Sequence, residues 1–196
     1  MGKEKYLKKI KDLFKKSSIV DLKSIKRIIK YKKQTKQYYK QLIRNLILKR
    51  KINRITKGYY TIHQDPSLAV FCFSPAYLGL QDALSFHNLW EQETIPIIIT
   101  SKKVRTGIRK IFGINTLIRR ISKKYLFGFN YSKYGKFYLP ISDIEKTFID
   151  LVYFKQNIDK NLLKNFKKKI NTTTLKKYLK KYPKKIKTKV LNKLKS

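Results

Sequence analysis

Residues 35–51 read TKQYYKQLIRNLILKRK, and residues 52–62 read INRITKGYYTI. In the first stretch Tyr39, Leu42, Ile43, Leu46 and Ile47 recur at helical spacing and make one apolar stripe. Gln37, Lys40, Gln41 and Arg44 occupy the opposite face, and no acid interrupts the segment. A merely solvated helix face would mix lysine with glutamate. Thr35 stands where a hydroxyl can cap the helix, with Lys36 in its first turn. The second stretch holds two short β-like runs around Thr56-Lys57-Gly58, the pattern of a hairpin.

The residues before this stretch supply two more helices. Tyr6, Leu7, Ile10, Leu13 and Phe14 form an amphipathic stripe among lysines. Ile19-Val20 reads as a short strand. Asp21 then offers a carboxylate to the free amides of a second helix, while Val20 and Ile25 stand at the two positions of a hydrophobic staple. Leu22, Ile25, Ile28 and Ile29 give that helix its inner face. Three helices followed by a hairpin is the order of a winged helix-turn-helix. The expected interface with double-stranded DNA is Thr35, Lys36, Gln37, Lys40, Gln41 and Arg44 on the third helix, with Arg54 and Lys57 on the wing. Amides and guanidinium can read base edges in the major groove, and lysine neutralises phosphate.

Charge divides the chain. The net charge is +38 over 196 residues, from 49 basic and 11 acidic groups. Residues 1–62 carry 21 of the basic groups, whereas residues 63–101 carry none and four acids. An AT-rich genome enriches Lys, Ile, Asn and Tyr, but such bias does not empty 39 consecutive positions of every basic group. A domain boundary near 62 follows, with Asp65-Pro66 as a turn signal. The expected organisation is a DNA-binding domain over 1–62 and a mixed α/β domain over 63–196. Its Lys-rich helices begin near 155, giving an α+β chain.

In the second domain Ser67–Phe73 reads as a buried segment and Leu80–Asn88 as a short helix. Ile95–Thr100 and Ile114–Ile121 read as strands, as do Phe127–Tyr131 and Lys136–Pro140 around Gly135. Ser142 and Glu145 have the spacing of a capping box opening a helix through Phe154, buried along Ile144, Phe148, Leu151 and Val152. Beyond Lys155, three amphipathic patterns follow: Leu162, Leu163, Phe166 and Ile170; Leu175, Tyr178, Leu179 and Tyr182; and Ile186, Val190 and Leu194.

Catalysis has little to stand on. No H-E-x-x-H spacing and no Gly-rich phosphate loop occurs. Asp143, Glu145 and Asp150 are the carboxylates a Mg²⁺-dependent nuclease would need, but capping and helix-surface roles account for them. His87 reads as a packing or capping residue. The expectation is a non-enzyme without metal or cofactor. The one cysteine, Cys72, sits among apolar neighbours and reads as buried. Met1–Lys16 lacks the apolar core of a signal peptide, and the longest apolar run, Ile95–Ile99, is too short for a bilayer. A cytoplasmic protein with no membrane role is expected. RNA binding is the alternative reading of the same basic helices.

Three runs carry a family resemblance. Leu42, Leu46 and Lys51-Ile52-Asn53-Arg54-Ile55-Thr56-Lys57-Gly58-Tyr59-Tyr60 look like the end of a recognition helix and its wing. Pro75-Ala76-Tyr77-Leu78-Gly79-Leu80-Gln81-Asp82-Ala83-Leu84, with His87-Asn88-Leu89, is similar to a "yisl.sAL..hGl" segment. Ile141-Ser142-Asp143-Ile144-Glu145-Lys146-Thr147-Phe148-Ile149-Asp150-Leu151 looks like an "EKalldll" helix. In this order, from about Ile19 to Phe154, they resemble the AbiEi family of antitoxins and transcriptional regulators. The departures are Asn88 where glycine is usual and Phe148-Ile149 where smaller residues are common. The resemblance implies a winged helix joined to a mixed α/β domain, operator binding and autoregulation. It also implies a neighbouring nucleotidyltransferase-like toxin opposed without a required stable complex.

Overall fold

The computed structural model describes residues 2–29 and 38–195. They form two compact units, residues 1–72 with 111–113, and residues 73–110 with 114–196. The chain is mixed α+β, and its larger sheet combines parallel and antiparallel pairs. Among the described residues no helix is long and apolar enough to cross a membrane.

The first unit is built from α1 (Gly2–Lys16), β1 (Val20–Asp21), α2 (Leu22–Ile29), α3 (Tyr38–Leu48), β2 (Asn53–Thr56) and β3 (Tyr59–Thr61). Its three strands are antiparallel in the order β1-β3-β2, with a register shift between Arg54 and Thr56. Ile10 and Phe14 of α1, Ile25 and Ile29 of α2, and Ile43 and Leu46 of α3 close on one core with Val20, Ile52 and Tyr60. The Asp21 carboxylate accepts the Ser24 amide at 2.8 Å, so the expected cap is present. Its staple partners Val20 and Ile25 are both buried. The Leu22 amide donates to the Gly58 carbonyl at 2.8 Å, tying the start of α2 to the hairpin turn.

The second unit has β4 (Ala76–Leu78), α4 (Gln81–Phe86), β5 (Ile97–Thr100), β6 (Gly107–Ile111), β7 (Ile114–Arg120), β8 (Phe129–Tyr134) and β9 (Phe137–Ser142). The helices α5 (Ile144–Tyr153), α6 (Lys160–Lys169), α7 (Thr172–Leu179) and α8 (Lys184–Lys195) follow. The sheet order is β6-β7-β5-β4-β9-β8. The strand expected at 95–100 is β5, buried at all four residues. The apolar segment Pro66–Phe73 is a 3₁₀ helix, with Cys72 buried. Asn88 takes a left-handed φ of 52° just past α4, a conformation asparagine tolerates better than most residues. The three tail patterns are α6, α7 and α8, and their apolar stripes pack on α5.

Two expectations for α5 are corrected. The cap is not Ser142 paired with Glu145 but Asp143, whose carboxylate accepts the Lys146 amide at 2.7 Å. Ser142 stays in β9 and trades a hydrogen bond with Thr147. Asp150 is not on a helix surface either. It is wholly buried in an ion pair with Lys146, itself wholly buried. The Tyr77 hydroxyl donates to the second Asp150 oxygen at 2.7 Å, and Lys146 Nζ reaches the Tyr182 hydroxyl at 3.2 Å. Burial pushes the Lys146 ammonium down and the Asp150 carboxyl up, and each charge opposes the shift of the other. Gly128 clears the approach, since a Cβ there would stand 2.9 Å from Lys146 Cβ and from the Tyr178 ring.

Removing one member of such a pair strands a buried charge. Lys146→Met and Asp150→Leu are each expected to cost about 3–5 kcal/mol in urea unfolding. The double variant is expected to lie nearer the wild type than the sum of the two, and additivity would contradict the pairing.

Candidate nucleic-acid interface

Helix α3 separates its residues as its spacing demands. Ile43 and Leu46 are buried, and Tyr39, Leu42 and Ile47 are half-buried against the same core. Lys40, Gln41 and Arg44 are exposed on the other face. The three remaining expected contacts on this segment, Thr35, Lys36 and Gln37, lie outside the described residues.

The exposed face extends further than the spacing alone singles out. Asn45 is exposed, and its side-chain oxygen accepts a hydrogen bond from Gln41 Nε2 at 3.3 Å. One turn beyond Arg44 the polar stripe ends at Leu48, which is 69% exposed. Lys23 and Arg27 are exposed on α2 at i, i+4 spacing. That spacing is legible in the sequence, on the face of α2 opposite Leu22, Ile25 and Ile29. Lys26 lies over the Tyr39 ring at 4.6 Å, a cation–π contact joining α2 to α3.

The hairpin contributes two cations. Arg54 and Lys57 are exposed, on β2 and in the turn after it. Arg54 Nε donates to the Thr56 carbonyl at 3.4 Å across the register shift. Ile55 between them is buried, which anchors the strand while its neighbours face water. The described part of this surface presents Lys40, Arg44, Arg54 and Lys57 with no ion pair among the described residues.

The chain matches no protein-family model and no curated protein. Its fold is similar to a solved one. The crystal structure of the RV2827C protein from Mycobacterium tuberculosis superposes with a TM-score of 0.61 at 12% identity. The match covers 92% of this chain and 72% of that one. At that identity the likeness is one of fold.

The three carboxylates that a Mg²⁺-dependent nuclease would need, Asp143, Glu145 and Asp150, are occupied by structure. Asp143 accepts the Lys146 amide through one oxygen and the Tyr178 hydroxyl, at 2.6 Å, through the other. Glu145 accepts the Asn171 amide at 2.7 Å. Asp150 is held as described above. Among the described residues no three His, Cys, Asp or Glu side chains converge to hold a metal ion. His87 sits at the end of α4 with Nε2 2.7 Å from the Ser142 carbonyl.

The cap on α2 steadies the helix beside α3. The hydrogen bond from Ser24 holds the Asp21 carboxyl below its ordinary value of 3.8, against a smaller opposing effect of burial. A depressed carboxylate stabilises the fold above its unfolded pKa, and loses that effect as pH falls through the folded value. The cap is therefore fully effective at neutral pH, and its contribution begins to fall near pH 3.8 and is lost as pH drops through the lower folded value. Asp21→Ala is expected to cost about 1 kcal/mol at pH 7. The difference from wild type should shrink in acid, as measured by thermal melts across pH.

Proposed function

We propose that this chain is a sequence-specific regulator that binds double-stranded DNA through a winged helix-turn-helix in its first unit. It is an AbiEi-like antitoxin repressing its own operon, acting in the cytoplasm without catalysis of its own. The observation that carries the reading is the exposed, acid-free face of α3 at Lys40, Gln41 and Arg44, followed in sequence by a basic hairpin. In this reading α3 enters the major groove, and Arg54 and Lys57 on the wing follow the backbone. Gln41 and Arg44 have the side-chain chemistry for adenine and guanine edges. Lys40 and Lys57 meet phosphates.

The net charge of +38 supports attraction to a polyanion but selects no sequence. Sequence preference has to come from the few amide and guanidinium groups. Antitoxin action further requires a nucleotidyltransferase-like gene beside this one, and repression of the shared promoter.

The test is titration of the chain's own promoter duplex against a scrambled duplex and an RNA hairpin of equal length. With roughly 6–10 phosphates neutralised, affinity is expected to fall about 10³–10⁵-fold between 50 and 200 mM salt. Arg44→Ala should cost about 1–3 kcal/mol on the promoter and narrow its margin over the scramble. Lys57→Ala should weaken both duplexes alike and lower the salt slope by about 1. Tighter binding to the RNA hairpin than to the promoter would reject the DNA reading.

A further inference from the structure

The hairpin of β8 and β9 lies at one edge of the six-stranded sheet and carries two uncovered aromatic rings. Side chains alternate along a strand, so Phe129, Tyr131 and Lys133 share one face of β8. The antiparallel register sets Pro140 opposite Tyr131 and Tyr138 opposite Lys133. Directly opposed residues project to the same side, which places both tyrosines and the lysine on one face. At the inner end of that face Phe129 is half-buried and stacked on Tyr77, with ring centroids 5.1 Å apart. Towards the turn the cover stops. Tyr131 is 65% exposed, Tyr138 is 67% exposed, and Lys133 is exposed between them.

Folding gains little from these rings. The other face of the hairpin does the anchoring, through buried Leu139 and Ile141 and through the Tyr134 hydroxyl on Asp82 at 2.9 Å. One exposed aromatic needs no explanation. Two on one face, diagonal to each other beside a lysine, make a surface with a definite chemistry. Diagonal neighbours on a sheet face stand roughly 7–8 Å apart, about twice the height of a stacked base. The turn between the strands is two residues long, with Gly135 at a φ of 57°, so the platform is short. The hairpin contains Lys133 and Lys136 and no acid.

We propose that the Tyr131–Tyr138 face of this hairpin binds a single-stranded nucleic acid. Unpaired bases stack on the two rings, and the strand's phosphates meet Lys133 and Lys136. Stacking needs only a base's π-face, so the site tolerates any sequence and either sugar. A duplex keeps its base faces inside its own stack and does not satisfy the site. The inference therefore stands apart from the reading of α3, and either can fail alone.

The test uses the full chain with fluorescent oligo(dT) and oligo(rU) of about 12 nucleotides, followed by anisotropy. The Tyr131→Ala/Tyr138→Ala variant is expected to bind both oligonucleotides at least tenfold more weakly and the promoter duplex unchanged. The Tyr131→Phe/Tyr138→Phe variant keeps the rings and should stay within about twofold of wild type. Thermal melts check that each variant folds, as exposure of both positions leads one to expect. Wild-type affinity of the alanine variant for both strands would overturn the proposal. So would an equal loss in the phenylalanine variant, which would place binding in the hydroxyls. A loss confined to oligo(rU) would also overturn it, because the sugar would then be read.

Discussion

Scarcity of acid governs this molecule. Eleven carboxylates face 49 basic groups, and the fold spends most of the eleven on itself. Asp21, Asp143 and Asp159 cap helices. Asp65 holds the Ser67 amide at the start of the 3₁₀ helix. Asp82 accepts the Ile97 amide and the Tyr134 hydroxyl, Glu145 the Asn171 amide, and Asp150 the buried Lys146. Each sits where a free amide, hydroxyl or ammonium would otherwise be stranded. Few remain to offset the 49 basic groups, and the net charge stays at +38. Surface potential and internal architecture are thus two results of one allocation.

Helix α5 is where that allocation is densest. It receives a capping carboxylate at its start, donates Glu145 to the start of α7, and buries its own Lys146–Asp150 pair one turn apart. Tyr77 from β4 and Tyr182 from beyond α7 complete the enclosure. A strand, a helix and the tail are thereby joined through one buried polar cluster. An arrangement of the helical layer that parted Lys146 from Asp150 would leave a buried charge without its partner.

The sequence made the first unit readable because each of its signals is local. A capping carboxylate, a staple and a 3.6-residue period act within one or two turns; α2 and the hairpin formed where those signals placed them, and α3 takes up Tyr38–Leu48 of the stretch expected over Thr35–Lys51. The second unit depends more on distant partners. Strands β4 and β6 are three and five residues long, too short for alternation to announce them. Lys146 and Asp150 have the spacing of an ordinary surface pair, and only the enclosing tyrosines make them interior. Asp143 displaced Ser142 as cap because Ser142 is the last residue of β9 and its hydroxyl is already bonded to Thr147. On α3 the inward and outward faces were legible from spacing alone. The exposure of Tyr131 and Tyr138 was not, since alternation along a strand assigns a face but not what covers it.

The commitment of the carboxylates also bears on how this chain can change over generations. An exposed lysine such as Lys164 of α6 or Lys176 of α7 can be exchanged with little effect on folding, while most acids are pinned by an amide or hydroxyl. Adjustment of the electric field is open on the basic side and nearly closed on the other. Descendants needing a gentler grip on anions would reach it by shedding lysines rather than by rewriting their aspartates.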